Sequence, residues 1–479
     1  MLVQLPPSPA MRREPWTVLG DDGPVAPTEP YQAHLTNIER SPNTVRAYPH
    51  DLTEWFVFLA RQGLDWQEAQ MEADASLLNM YSRRARYPMN RVPMARPSDH
   101  TMAEDLDPYV DQRVSTELIR GAVVRRVPIE VHGVYPAHFN LVATALGRRV
   151  QQSLGSNQQP DKILNGVRPE LFKAHDPYGQ ELLCIAVPPG HDYVTHYASL
   201  VAHAMSRYTR PTGQLLRVWH YPDAEHAIAE WTGLNESLVN GAETVVLGKI
   251  ELLSDILGSV GYHRIEHQAT PYYDASTFSR PRGRRVTLLG VRFSYWGSIG
   301  GRLARQCCNL GAREIIYVGK LGTLDEPKDI YNRLFVPSRY GLLSGIRVRQ
   351  VSDGPPNLLL DRVPALDSGL HVSVPTVLEE DHAQREVARL LGARTMDNEL
   401  AQMALAVHEW NIDTGGSVSF SGLHYATDYL RCREETDVEV PYSLARGRSL
   451  EACRKRRRAE RLIGYCLCSY FADKEVAAA

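Results

Sequence analysis

Residues 313–324 read REIIYVGKLGTL. Ile315, Ile316, Tyr317 and Val318 run straight into Gly319-Lys320-Leu321-Gly322. A short continuous apolar run is the signature of a strand buried on both faces. Two glycines three apart at its carboxyl end have two readings. One is a tight turn. The other is a cradle of backbone N–H groups that approaches a ligand without side-chain bulk.

The flanking sequence sets the fold. "ETVVLG" (243–248) is a strand ending in Gly, "IELLSDIL" (250–257) can begin a helix, and "RRVTLLGV" (284–291) is a second strand. "SIGGRLARQCCNLG" (298–311) places Ile299, Leu303, Cys307 and Leu310 on one helical face and closes on Gly311. "HAQREVARLLGA" (382–393) and "NELAQMALAVHEW" (398–410) carry helical spacing, and "SVSFSGLHYATDYL" (417–430) returns to a strand. Strands alternating with helices predict an α/β fold, with a mixed, largely parallel sheet flanked by helices. Such sheets collect ligands at the carboxyl ends of their strands, which favours the cradle.

The rest of the chain bounds the answer. Its 479 residues exceed one typical domain, and 43% apolar with 23% charged residues is ordinary globular composition. A net charge of -3 gives no global bias toward nucleic acid or membrane. Seven scattered cysteines without C-x-x-C spacing fit reduced thiols and predict no metal site. No signal-peptide core and no apolar run of membrane length is seen, so the expectation is a cytoplasmic protein without membrane contact.

Residues 1–26, rich in Pro and Gly, read as a disordered tail. Residues 27–110 read as a small all-α bundle and linker. Ser41 caps a helix there, Pro42 takes its first position, and Val45, Tyr48, Leu52, Phe56 and Leu59 share a face before Gly63. The stretch 86–108 reads as a Pro-broken linker. Residues 111–235 form an unassigned α/β region, with strands in "ELLCIAVPPG" (181–190) and "QLLRVWHYP" (214–222) around a helix at 193–208. Residues 236–479 form the regular α/β domain with a basic C-terminal helix.

Three ordered stretches, "EIIYVGKLGTL", "GARTMDNELAQMALAV" and "FSGLHYATDYL", together resemble the nucleoside phosphorylase superfamily of purine nucleoside phosphorylases and nucleosidases. The resemblance covers about 240–435. Within it "TVVLG" is similar to the family's first phosphate-loop strand, and "GVRFSYWGS" (290–298) to the loop after its third. It implies cleavage of the N-glycosidic bond of a purine nucleoside-like substrate, by phosphorolysis or hydrolysis. Inorganic phosphate would be the co-substrate in the first case. Asp428 would be the acid that protonates the departing base, and Glu399 the carboxylate that grips the sugar. Gly248, Gly319, Lys320, Gly322, Thr323 and Asn398 would bind substrate. The family's habit of assembly implies a homo-oligomer. The plainer readings are a dipole partner for Glu399 and a cap or turn residue for Asp428.

The family's two phosphate arginines are missing. Tyr317 and Leu252 stand in their places, and Lys320 stands where a Ser is usual. Lys320, Lys249 and Arg292 are the remaining cations nearby. Three outcomes stay open: a water route with Glu251 as base, a nucleotide whose own phosphate meets Lys320, or an inactive nucleotide sensor.

"SPNTVRAYPHDLTEWFVFLARQGL" (41–64) resembles the SAM-like core-binding domain of tyrosine recombinases over about 27–70. That resemblance implies DNA contacts through Thr44, Arg46 and Tyr48, although Pro49 should kink the helix. The alternative function is therefore a DNA-binding protein without turnover. His382-Ala-Gln-Arg385 has a recombinase-like spacing without its partner boxes and reads as a solvated helix face. The basic run 454–458 reads either as an anion-binding patch or as the solvated face of a terminal helix. In the second reading Leu462, Ile463, Cys466 and Tyr470 pack on the sheet.

Overall fold

The computed structural model describes residues 99–473 apart from 157–163, 210–214, 220–223, 240–242, 252, 282–283, 361, 363–365, 368 and 436–449. Nearer the start it describes 2–4, 17–20 and 23–24. The chain divides into two compact units, Met1–Ser82 and Arg83–Ala479. In the first, Leu2–Gln4 (β1), Thr17–Gly20 (β2) and Gly23–Pro24 (β3) pair antiparallel. The recombinase-like stretch, with Thr44, Arg46 and Tyr48, lies outside the described residues.

The second unit opens with Leu106–Arg113 (α1) and Thr116–Val124 (α2). Of the stretch read as a linker, residues 86–98 lie outside the described residues, and the rest packs into the core: Leu106 is buried, as are Tyr109 and Val110 just after it, and His100 Nε2 lies 2.8 Å from the Val377 carbonyl oxygen. Pro108 does not break the chain, because it falls in the first turn of α1, where its missing N–H costs nothing. Ile129–Gly133 (β4), Phe139–Ala145 (α3), Arg149–Ser156 (β5), Glu170–His175 (β6) and Glu181–Val187 (β7) follow. Then come His191–Ser206 (α4), Leu216–Val218 (β8), Ala224–Trp231 (α5) and Glu236–Val239 (α6). The strands form one sheet in the order β5-β6-β7-β4-β8, parallel across β7-β4-β8.

A larger sheet follows. Its first part is Thr244–Gly248 (β9), Leu253–Ser259 (α7), His263–Ala269 (β10), Tyr273–Ser279 (β11), Val286–Val291 (β12), Ser298–Asn309 (α8) and Glu314–Thr323 (β13). Next come Leu334–Val336 (β14), Arg339–Ser344 (β15), Arg347–Ser352 (β16), Leu366–Asp367 (β17) and Leu370–Ser373 (β18). His382–Leu390 (α9), Ala393–Asp397 (β19), Leu400–Thr414 (α10), Ser419–Tyr429 (β20) and Leu450–Asp473 (α11) complete it. The sheet is mixed: two parallel groups, β12-β9-β13-β20 and β15-β18-β19, meet at the antiparallel β13-β19 pair. Strands β12, β9, β13 and β20 run parallel, while β10-β11 and β15-β16 are antiparallel pairs. Among the described residues, no helix is long and apolar enough to cross a membrane.

One apolar cluster runs from Leu106 and Tyr109 through Tyr193 and Val245 to Phe420, so residues 99–235 share a core with the large sheet. A polar clasp adds to it. The Ser298 N–H, at the first turn of α8, donates to Asp192 Oδ2 on α4 at 2.7 Å. A second cluster packs α7 and α11 on the sheet through Leu253, Leu257, Ile463, Cys466 and Tyr470. Leu462, expected in that packing, is instead 42% exposed. Arg385 corrects the reading of 382–385 as a solvated face: it is buried, and its Nε donates to the Leu430 carbonyl at 2.6 Å.

Asp192→Ala removes a carboxylate cap from α8, so urea unfolding should show a loss of about 1 kcal/mol. An unchanged midpoint would show that the clasp contributes nothing to the union of the two regions.

Candidate functional site

A cavity of about 260 Å³ lies over the carboxyl end of β13. The glycine pair is not a turn. β13 continues as a strand through Gly319 and Gly322 to Thr323. The glycines answer a packing demand: a Cβ on Gly319 would overlap His424, and one on Gly322 would overlap Leu430. Gly248, at the end of β9, has φ +96 and passes so close to β13 that a Cβ would overlap the Val318 carbonyl.

Asp428 stands within β20 rather than beyond it. The register of β13 and β20 shifts between Leu321↔Ala426 and Gly322↔Asp428, which leaves Thr427 as the extra residue of a bulge. Bulges re-aim side chains, and Asp428 here lines the cavity. Glu399 takes the N-cap position of α10 after β19 ends at Asp397. It lines the same cavity, as do Gly248, Glu251, Gly319, Lys320, Gly322 and Asn398. Thr323 does not. It is buried, and its hydroxyl accepts from the Asp325 N–H at 3.2 Å. Arg292 is also outside the lining and sits 3.3 Å from Asp274.

Protons are distributed unevenly here. Burial, with Asp397 nearby, pushes Glu399 up to about 8. The Tyr317 hydroxyl donates to Glu399 Oε1 at 2.6 Å, and Lys320 pulls against the rise. Burial also raises Asp428, opposed by a bond from Thr427 Oγ1 at 2.7 Å and by Lys320. Glu380 stands well above the usual carboxyl range through burial, with Asp428 adding to it. Asp397 goes the other way. Burial works against its charge, but His371 at 2.8 Å and Ser373 at 2.5 Å hold its carboxyl below the ordinary value. The backbone N–H groups of Glu399 and Leu400 also donate to it. These partners favour the ionised form at Asp397 and the protonated form at Glu399.

No sequence signal marks His424. Neither ring nitrogen has a hydrogen-bond partner among the described residues, and burial lowers it to about 3, so it stays neutral beside the Tyr317 ring at 5.0 Å.

The remaining wall comes from residues 99–235. Tyr193 stacks on Trp296 at 4.6 Å, and His196 meets the same indole edge-on at 4.8 Å. Arg168 Nη1 donates to Asn165 Oδ1 at 3.1 Å and to Ser294 Oγ at 2.7 Å. The Arg113 guanidinium lies 4.9 Å from the Tyr109 ring centroid. Both arginines line the cavity, and neither has a carboxylate ion-pair partner among the described residues. No motif marks these wall residues in the sequence, because they arrive from α1, α4 and the loop before β6. Glu251 sits toward the outside, with its side chain 46% exposed and 3.8 Å from Lys249.

No family model matches the chain. The chain is 34% identical over 373 residues to the oxidoreductase cns1 of Cordyceps militaris. That match takes in 74% of this chain and 46% of the fungal protein, so the chain spans about half the length of the curated relative it matches. Solved structures with similarity include a uridine phosphorylase from Vibrio fischeri, at 13% identity and a TM-score of 0.35, over 51% of this chain and 95% of that one. Another is the Campylobacter jejuni 5′-methylthioadenosine/S-adenosyl homocysteine nucleosidase, at 12% identity and a TM-score of 0.36, over 49% of this chain and 99% of that one. At these scores the assignment of the site rests on its own geometry.

The raised Glu399 gives a signed expectation. Its folded value, about 8, exceeds the unfolded 4.5, so between them the folded state holds the extra proton. Stability from this group is then complete below the unfolded value and falls as pH rises toward 8, by up to about 1.4 kcal/mol per pH unit. Glu399→Gln should therefore gain melting temperature relative to the parent between pH 5 and pH 9. A constant difference across that range would contradict a buried, protonated Glu399.

Proposed function

We propose that this cavity cleaves the N-glycosidic bond of a nucleoside-like substrate. The observation that carries the reading is the placing of two carboxyl groups of raised pKa, Asp428 and Glu399, in one cavity beside a strand stripped of side chains. Glycosidic cleavage needs an acid for the leaving group and an anion for the sugar. Asp428, whose protonated form burial favours, would give its proton to the base as the C–N bond breaks and the bonding pair leaves with the base. Sugar hydroxyls donating to Glu399 would draw its pKa down. The ionised form would then stabilise positive charge on the ring, with Tyr317 fixing its orientation. Asn398 and the backbone of Gly319 and Gly322 would meet polar edges of the substrate. The Tyr193–Trp296 stack offers a flat apolar surface suited to a nucleobase.

Phosphorolysis is the better-supported route. Arg113 and Arg168 line the cavity and would stand in for the two arginines missing from the sequence motif, since guanidiniums can fork onto a phosphate. A phosphate oxygen would then form the new bond to the sugar carbon as the base departs. The water route would rely on Glu251, which is half exposed and near Lys249. Oxidoreductase chemistry is named for the Cordyceps protein, under half of which this chain spans. The chain has no Gly-x-Gly-x-x-Gly run of the dinucleotide-binding kind.

Base release from a panel of purine and pyrimidine nucleosides, with and without phosphate, tests the reading. Asp428→Asn should lower release by about 100-fold or more, and Arg113→Gln with Arg168→Gln should remove the phosphate dependence. Absence of release from every member, or full activity in Asp428→Asn, would overturn it.

A further inference from the structure

The basic face of α11 takes no part in the chemistry above. Six basic residues fall between Arg454 and Arg461. Lys455 lies 3.0 Å from Glu451, and Arg456 lies 3.6 Å from Glu460. Arg454, Arg457, Arg458 and Arg461 are exposed, with no carboxylate ion-pair partner among the described residues. Like charges at helical spacing repel, and the chain as a whole is slightly acidic at -3.

A solvated face would need no more explanation than that, but the geometry adds two facts. Arg457 and Arg461, one turn apart, line a groove with Lys249, Glu251 and Val318. Those last three residues also line the catalytic cavity, so the groove leads away from it at the loop after β9. The groove also has an apolar side, from Leu253 and Ile463, against which cationic groups are less well screened. Its acidic members are both engaged. Glu460 accepts from the Tyr425 hydroxyl at 2.9 Å and sits beside Arg456, while Glu251 sits beside Lys249.

We propose that Arg457 and Arg461, with Lys249, hold a phosphate carried by the substrate itself, so that the substrate is a nucleotide bearing a phosphate monoester on its sugar. This rests on the cavity being the nucleoside site. Two guanidiniums and an ammonium make a donor set suited to a phosphate monoester. The groove is separate from the Arg113 and Arg168 pair, which would serve the attacking phosphate.

The test is calorimetric binding to the full chain carrying Asp428→Asn, with and without Arg457→Gln and Arg461→Gln. The probes are adenosine, uridine, their 5′- and 3′-monophosphates, and inorganic phosphate added to the nucleoside complex. At least one monophosphate should bind about tenfold or more tightly than its nucleoside. The double substitution should abolish that gain and leave nucleoside affinity unchanged. Equal affinity for nucleoside and monophosphate, or a gain that survives the substitution, would overturn the proposal. So would inorganic phosphate binding that is lost with Arg457 and Arg461, since the groove would then serve a free anion. Circular dichroism and an Arg461→Lys variant, which should keep part of the gain, separate misfolding from lost charge. A monophosphate preference without base release from the unsubstituted protein would uphold the groove and sink the glycosidic reading. Nucleoside cleavage without that preference would do the reverse.

Discussion

β13 can hold the centre of this protein only because it carries no side chain at two places. Its neighbours leave no room: His424 fills the space over Gly319, Leu430 that over Gly322, and Gly248 crosses against the Val318 carbonyl. The Lys249 N–H then donates to that same carbonyl at 2.8 Å, fixing the loop after β9 to the central strand. The loop after β12 is tied down in a similar way to the head of α10, where the Gly297 N–H donates to the Asn398 carbonyl at 3.0 Å. The loops around the carboxyl end of β13 are thus held by backbone contacts. The cavity above them inherits that rigidity, as a preorganised site requires.

Electrostatics follow from this packing. Asp397, Glu399, Glu380 and Asp428 crowd one end of the sheet, and the medium around them is too apolar for all four to ionise. Asp397 takes the charge because His371, Ser373 and two backbone N–H groups already point at it. Burial favours the protonated forms of its neighbours. The cations of the cavity, Lys320, Arg113 and Arg168, thereby face less negative charge than the count of carboxyl groups implies. A site of this kind can offer an acid, accept a sugar hydroxyl and still attract an anion.

Much of this was legible in the sequence where the signal was local. The strand at 314–323, the helix heads near 298 and 399, and the strand carrying Asp428 all follow from apolar runs and caps. Seven positions of the resemblance, Gly248, Gly319, Lys320, Gly322, Asn398, Glu399 and Asp428, meet at one cavity with Glu251. What was lost was long-range. Arg113 and Arg168 stand in a region without motifs, and long-range contacts bring them across: the shared core, the Asp192 clasp and the bond from the Val167 N–H to the Arg292 carbonyl among them. His424 gave no signal either, since its neutrality comes from burial between strands. Thr323 lies outside the cavity lining because β13 continues through both glycines and carries its side chain into the interior.

A crystal structure with a non-cleavable nucleoside analogue would bear most directly on the proposed chemistry. The base should lie along the Tyr193–Trp296 wall with a ring nitrogen in hydrogen-bond reach of Asp428. The sugar hydroxyls should face Glu399. An analogue bound elsewhere, or one seated in the cavity with its sugar toward Asp428 and its base toward Glu399, would contradict the assignment of acid and sugar carboxylate.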